Sequence, residues 1–233
     1  FPSGKERTVH GIISSIALAT LVIFAAGCGP HDSAPIRYES DWPQFRHQVD
    51  KARNRVWFLT RGDVHLYDPE SPHKTLRINL PDWIRVGEPL ACMPDLVLGP
   101  KGEALISSNI MPWLWRIDPV TLAVSTHELA LDADTNKEIG FSGLTYSEKQ
   151  GAFIAVSQLQ GSLWRIDASL TTAQKIPLSA PIPQACGIAI QPHAVERKMA
   201  RGIRLCVDTG QDGWTVDLAP NLRSGHVSAR SCS

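Results

Sequence analysis

Short apolar runs recur along this chain, separated by turn-forming residues. Val56-Trp57-Phe58-Leu59-Thr60, Ala104-Leu105-Ile106-Ser107-Ser108, Ala152-Phe153-Ile154-Ala155-Val156 and Ile203-Arg204-Leu205-Cys206-Val207 are rich in β-branched and aromatic side chains. Runs of about four to eight such residues, bounded by Gly, Pro, Asn and Asp, read as strands. Each is followed by a turn: Arg61-Gly62-Asp63, residues 109–112, Gln160-Gly161-Ser162 and residues 210–213. Another run precedes each: Phe45 to Val49, Asp95 to Leu98, Gly143 to Tyr146 and Gly187 to Ile190. Further strands follow at Ala123 to Leu129 and Ala173 to Leu178. No helical periodicity interrupts these runs outside the N-terminal segment.

The pattern repeats. His65-Leu66-Tyr67-Asp68-Pro69, Trp115-Arg116-Ile117-Asp118-Pro119, Trp164-Arg165-Ile166-Asp167-Ala168 and Trp214-Thr215-Val216-Asp217-Leu218 align, with the aspartates 50, 49 and 50 residues apart. Asp fits the first position of a turn, where its carboxylate accepts a backbone N–H two residues on, and Pro presets the next φ. The aromatic residue three before it supplies volume between repeats. A four-stranded meander leaves two apolar faces, which it buries by stacking against its neighbours around an axis. The sequence therefore predicts an all-β fold, a β-propeller of about four blades of four antiparallel strands, near 42–81, 95–131, 142–178 and 187–230. Four blades is the preferred count, with the first part of a larger propeller as the alternative. The sequence opens on Phe1 rather than Met, so either it begins upstream of the true start or the reading frame is incomplete.

The N-terminal segment differs from the rest. Lys5 and Arg7 precede an apolar run from Gly11 to Ala26, 16 residues long. A spanning helix needs roughly 20 residues, so this length suits the apolar region of a signal peptide better. The run ends in Ala25-Ala26-Gly27-Cys28. These residues resemble a bacterial lipoprotein signal peptide, with Ala25 where Leu is usual. The resemblance implies that residues 1–27 are removed, that Cys28 carries a diacylglycerol thioether and an N-acyl chain, and that residues 28–41 form a tether. Multiple acyl chains anchor stably. Gly29 in place of Asp implies the outer membrane, so the expected location is the bacterial cell envelope, lipid-anchored on the periplasmic face.

Charge narrows the partners. The chain has 23 basic and 23 acidic residues, and loss of Lys5, Arg7 and Glu6 leaves 21 and 22. Such a balance excludes nucleic-acid binding by bulk electrostatics. The expected partners are the membrane, through the lipid, and a protein or small molecule. At 43% hydrophobic residues the chain can build a real core. Export would permit disulfides, and Cys186 and Cys206, set almost symmetrically about residue 196 in the hairpin of the fourth blade, are candidates for a cross-strand bridge; two free thiols are the alternative.

Gly143-Leu144-Thr145-Tyr146-Ser147-Glu148-Lys149-Gln150-Gly151, then Phe153-Ile154-Ala155-Val156 and Leu163-Trp164-Arg165-Ile166-Asp167, resemble a blade of the NHL-like and gluconolactonase-like propellers. That group contains hydrolases, dehydrogenases and binding proteins, so the resemblance implies the fold more than an activity. Two functions follow. One is a lipid-anchored binding or scaffold module whose loops at the channel mouth recognise a ligand, with Trp83, Met93, Asp95 and Trp113 as candidates. The other is a metal-dependent lactonase-like hydrolase with a site on the axis. The resemblance implies inner-strand Glu, Asn and Asp ligands; the positions near Asp95, Ser142 and Cys186, with Asp41 and Gln44, do not reproduce that set.

Other motifs are weaker. Asp132-Ala133-Asp134-Thr135-Asn136 begins like a calcium loop, making Asp132, Asp134 and Asn136 candidate metal ligands. Lys137 and Gly143 stand where that loop needs Gly and Glu, and a solvated acidic turn is the plainer account. Gly140-Phe141-Ser142-Gly143-Leu144 approaches a nucleophile elbow but lacks the closing Gly and leads into a strand. Arg61-Gly62-Asp63 is accounted for by its turn. With no H-E-x-x-H, Walker or Rossmann motif, no cofactor is expected.

Overall fold

A computed structural model of the 233-residue chain describes residues 46–84, 92–132, 139–191, 202–209 and 213–228. The strands form four antiparallel sheets, each a meander, arranged as a four-bladed propeller. Blade 1 contains β1 (Arg46–Asp50), β2 (Arg55–Leu59), β3 (Val64–Tyr67) and β4 (Leu76–Ile78). Blade 2 contains β5 (Leu96–Leu98), β6 (Ala104–Ser107), β7 (Trp113–Ile117) and β8 (Val124–Glu128). A two-residue strand, β9 (Ala130–Leu131), follows. Blade 3 contains β10 (Gly143–Ser147), β11 (Ala152–Ser157), β12 (Ser162–Asp167) and β13 (Thr172–Ile176). Blade 4 contains β14 (Gly187–Ile190), β15 (Ile203–Asp208), β16 (Gly213–Leu218) and β17 (Gly225–Ser228).

Alternation along each strand sends successive side chains to opposite faces, and stacking buries them. Trp57, Leu59 and Val64 of blade 1 meet Leu96, Ile106 and Trp115 of blade 2. Leu105 and Leu114 of blade 2 meet Phe153, Trp164 and Ile166 of blade 3. Ile154, Val156 and Leu163 of blade 3 meet Leu205, Val207 and Val216 of blade 4. Trp115 and Trp164 are fully buried, so in blades 2 and 3 the repeated aromatic position is inter-blade core as its spacing predicts, while Trp214 at the same position in blade 4 is half-buried.

The repeat aspartates hold the turns. Asp68 Oδ1 accepts the N–H of Glu70 at 2.9 Å, and Asp118 Oδ1 accepts those of Val120 and Thr121 at 2.8 and 2.7 Å. Asp167 accepts the N–H groups of Ser169, Thr171 and Thr172. Partial burial pushes the Asp167 carboxyl up, but these donors and the Ser169 and Thr172 hydroxyls outweigh it and hold the group well below the usual carboxylate range. Leu122, Leu170 and Leu222, in the corresponding turns, have φ of 59°, 59° and 56°. That region is unfavourable for Leu; burial of Leu170 and Leu222 offsets the cost. Asp217 instead faces Arg204, Nε to Oδ1 at 2.7 Å.

The links between blades guard the outer edges. β9 pairs in parallel with β13, adding a fifth strand to that sheet beyond the predicted Ala123–Leu129 strand. After blade 3, Leu178 bridges in parallel to Gly225, and Ser179 Oγ accepts the N–H of Val227 at 2.9 Å. Both contacts pair backbone groups that an edge strand would otherwise present unpaired.

Candidate functional site

The innermost strands β1, β5, β10 and β14 line the axis. At one end their starting residues meet the turns between second and third strands. Two close glycines allow this approach. A Cβ on Gly143 would come within 2.9 Å of the Gly187 backbone, and one on Gly140 would lie 1.9 Å from the carbonyl carbon of Asn109. Phe141 N–H donates to Ser108 O at 2.6 Å, so residues 139–142 lie on the turn of blade 2.

Asp95 sits at the centre of this end, 7% exposed. Its Oδ1 accepts the N–H of Leu96 at 2.9 Å and its Oδ2 that of Leu144, in blade 3, at 2.8 Å. Arg46 Nε from blade 1 lies 3.6 Å from Oδ1. Burial pushes the Asp95 carboxyl up, against Arg46 and the two N–H donors. Arg46 also donates from its guanidinium to Cys186 O at 2.5 Å. One side chain thus links blades 1, 2 and 4. Asp95 is a ligand candidate in the sequence; in the structure it joins blades, and its oxygens are occupied by protein donors.

The cysteines correct an expectation. Cys186 is bonded to Cys92, not Cys206, with Cα atoms 5.1 Å apart and a sequence separation of 94. Cys206 is also disulfide-bonded. The register explains the difference: Ala189, three residues beyond Cys186, lies opposite Cys206. Symmetry about residue 196 is therefore not the symmetry of the hairpin. The bridge ties the segment leading into blade 2 to the one leading into blade 4. Gln158 Oε1 accepts the Cys92 N–H at 2.5 Å, and Asn109 Nδ2 donates to Cys92 O at 2.7 Å.

Met93, beside the bridge, is 8% exposed. Trp83 and Trp113 lie together at the blade 1–blade 2 seam, both half-buried and edge-on to Trp115, at 4.8 and 6.4 Å between ring centroids. Trp83 Nε1 donates to Arg61 O at 3.2 Å. The four ligand candidates thus divide into a tryptophan pair with exposed edges and two buried residues. Arg46, Asn109, Gln158 and Cys92 are members of this end that the sequence reading missed. Local pattern carries no signal for them, since each acts on a residue at least 17 positions away.

Remaining motifs resolve into structural roles. Ser142 is buried and donates from Oγ to Ala185 O at 2.5 Å, which accounts for the elbow-like sequence. Asp63 of Arg61-Gly62-Asp63 is 4% exposed, accepts from Thr60 Oγ1 and pairs with Arg77 and His65. Asp132 Oδ1 accepts the Lys175 N–H at 2.9 Å; Asp134 and Asn136 lie outside the described residues, as do Cys28, Asp41 and Gln44. Among the described residues no group of three or more His, Cys, Asp or Glu side chains is placed to hold a metal.

Solved structures share the fold. The chain is similar to virginiamycin B lyase from Staphylococcus aureus, 15% identical over 77% of this chain and 53% of that one, TM-score 0.55. It resembles a streptogramin B lyase at 12% identity over 80% and 54% of the two chains, TM-score 0.56. An auxiliary nutrient binding protein from Bacteroides thetaiotaomicron aligns at 11% identity over 78% and 40%, TM-score 0.53. The domain is a β-propeller. The chain spans about half the length, or less, of these structures. No protein-family profile matches the sequence, and no curated protein is similar to it. The same architecture thus serves lyases and a nutrient-binding protein, which fixes the fold and not the chemistry.

Proposed function

We propose that this protein is an exported, lipid-anchored propeller that binds a small ligand at the disulfide-bridged end of its axis. The observation that carries the reading is the Cys92–Cys186 bridge between two blades. Disulfides persist in oxidising compartments, which agrees with a lipoprotein-type signal ending at Cys28. A covalent tie at the loop-rich end holds the binding loops in place before a ligand arrives, which lowers the cost of ordering them. The exposed edges of Trp83 and Trp113 supply the contact surface beside it. A nutrient-binding protein among the similar structures supports binding as the role.

Two measurements test the two halves of this reading. Wild-type protein expressed in a Gram-negative host should float with membranes and carry radiolabelled palmitate, and Cys28→Ala should release it unlabelled. Equal flotation of Cys28→Ala would refute the anchor. For binding, a panel of monosaccharides, amino acids and dipeptides is screened by thermal shift. A hit should lose its shift in Trp113→Phe, and a hit unaffected by both Trp113→Phe and Trp83→Phe would place the site elsewhere.

A further inference from the structure

A second surface lies away from the bridged end, at the outer side of the seam between blades 3 and 4. A cleft of about 560 Å³ opens there between β12, β13 and the last turn of blade 4, with Arg165, Lys175 and Arg223 in its lining. Its volume lies within the roughly 300–1,000 Å³ usual for small-ligand sites.

The lining has three kinds of chemistry. Arg165 rises from β12 and Arg223 from the blade 4 turn, and among the described residues neither guanidinium has a carboxylate partner. Lys175 adds a third positive charge, its ammonium 5.9 Å from the Trp164 ring centroid. Asp132 is the one carboxylate among the described lining residues, and it accepts the backbone N–H of Lys175. Amides come next. Gln150 donates from Nε2 to Pro220 O at 2.6 Å, tying the two blades across the cleft, and Asn221 Oδ1 accepts the Arg223 N–H at 3.1 Å. The third kind is apolar: Pro177 is exposed, whereas Ile176 and Leu222 are buried.

We propose that this cleft binds an acidic saccharide, a sugar bearing a carboxylate or phosphate. Guanidinium forks match the paired oxygens of either acid group. The amides and Asp132 match ring hydroxyls, and exposed Pro177 offers a surface to the C–H face of the ring. The proposal is independent of the mouth site, since none of its residues lies at the bridged end.

Calorimetry on the intact protein tests it at low salt, with galacturonate, glucose 6-phosphate, inorganic phosphate and glucose as probes. At least one acidic sugar should bind more tightly than glucose and than inorganic phosphate, and weaken with salt. Which sugar wins identifies the acid group. The double variant Arg165→Gln/Arg223→Gln should weaken it about tenfold or more. Arg116→Gln changes the same repeat position in blade 2, outside the cleft, and should leave affinity unaltered. The melting temperature of each variant without ligand serves as the folding control. Equal affinity in the double variant, glucose binding as tightly as the acids, phosphate alone binding as tightly as the sugars, or no binding of either acidic sugar would each overturn the proposal.

Discussion

Blades 3 and 4 share one repeat and use it differently. Blade 3 buries apolar side chains on both faces: Phe153, Trp164 and Ile166 toward blade 2, Ile154, Val156 and Leu163 toward blade 4. Blade 4 buries Leu205, Val207 and Val216 toward blade 3. Its other face carries Cys206, the Arg204–Asp217 pair and Thr215 hydrogen-bonded to Ser228. Blade 1 shows a related asymmetry, with Val49 52% exposed on the face turned from blade 2. Strand spacing and turn chemistry make a blade. Whether a face can take a neighbour depends on which alternate positions are apolar, and the repeat motif does not govern that.

The contrast can be broken first at the repeated tryptophan. Trp164→Ala should cost about 3–5 kcal/mol in chemical denaturation, because the ring is fully buried. Trp214→Ala, at a half-buried ring, should cost less than half as much. Equal losses would mean that blade 4 is packed like blade 3.

A smaller effect is expected at the bridge, where blades 2 and 4 are joined covalently. Cys92→Ser/Cys186→Ser should lower stability by about 2–4 kcal/mol, since the bond closes a long loop in the unfolded chain. The blade 3 seam should suffer less than its flanks, and hydrogen exchange in β11 against β15 would measure that difference.

Turn aspartates give a third test, through pH. The Asp167 carboxyl is held below its ordinary value of 3.8, so its stabilisation is complete above that value and fades as pH falls toward the lowered one. Asp167→Asn should cost about 1 kcal/mol at neutral pH, and the gap to wild type should close on acidification below pH ~4. A gap independent of pH would mean that the charge contributes nothing. The smallest effect belongs to the polar face of blade 4. Arg204→Ala removes an ion pair whose side chains are 37% and 38% exposed, and should change stability by about 0.5 kcal/mol, falling with salt.

Much of the fold was legible because it is local. Asp68, Asp118 and Asp167 act within their own turns, and strand alternation is read over a few residues. The site was far less legible. Trp83 and Trp113 were named as aromatics on segments between strands or blades that the repeat does not need, yet what brings them together is Trp115 between them. Asp95 was singled out as a carboxylate beyond the repeat, but its partners Arg46 and Leu144 are each 49 residues away.

By itself the sequence determined four repeats of about 50 residues, their strands and the turns that punctuate them. Tertiary structure alone decided that Cys186 finds Cys92, that Arg46 of blade 1 reaches partners in blades 2 and 4, and that Arg165 and Arg223 share one cleft. The physical reason is distance along the chain. A turn or a strand is fixed by neighbours whose spacing the backbone dictates. A contact between blades depends on hairpin register and on how two faces stack, and a shift of three residues was enough to give one cysteine a different partner.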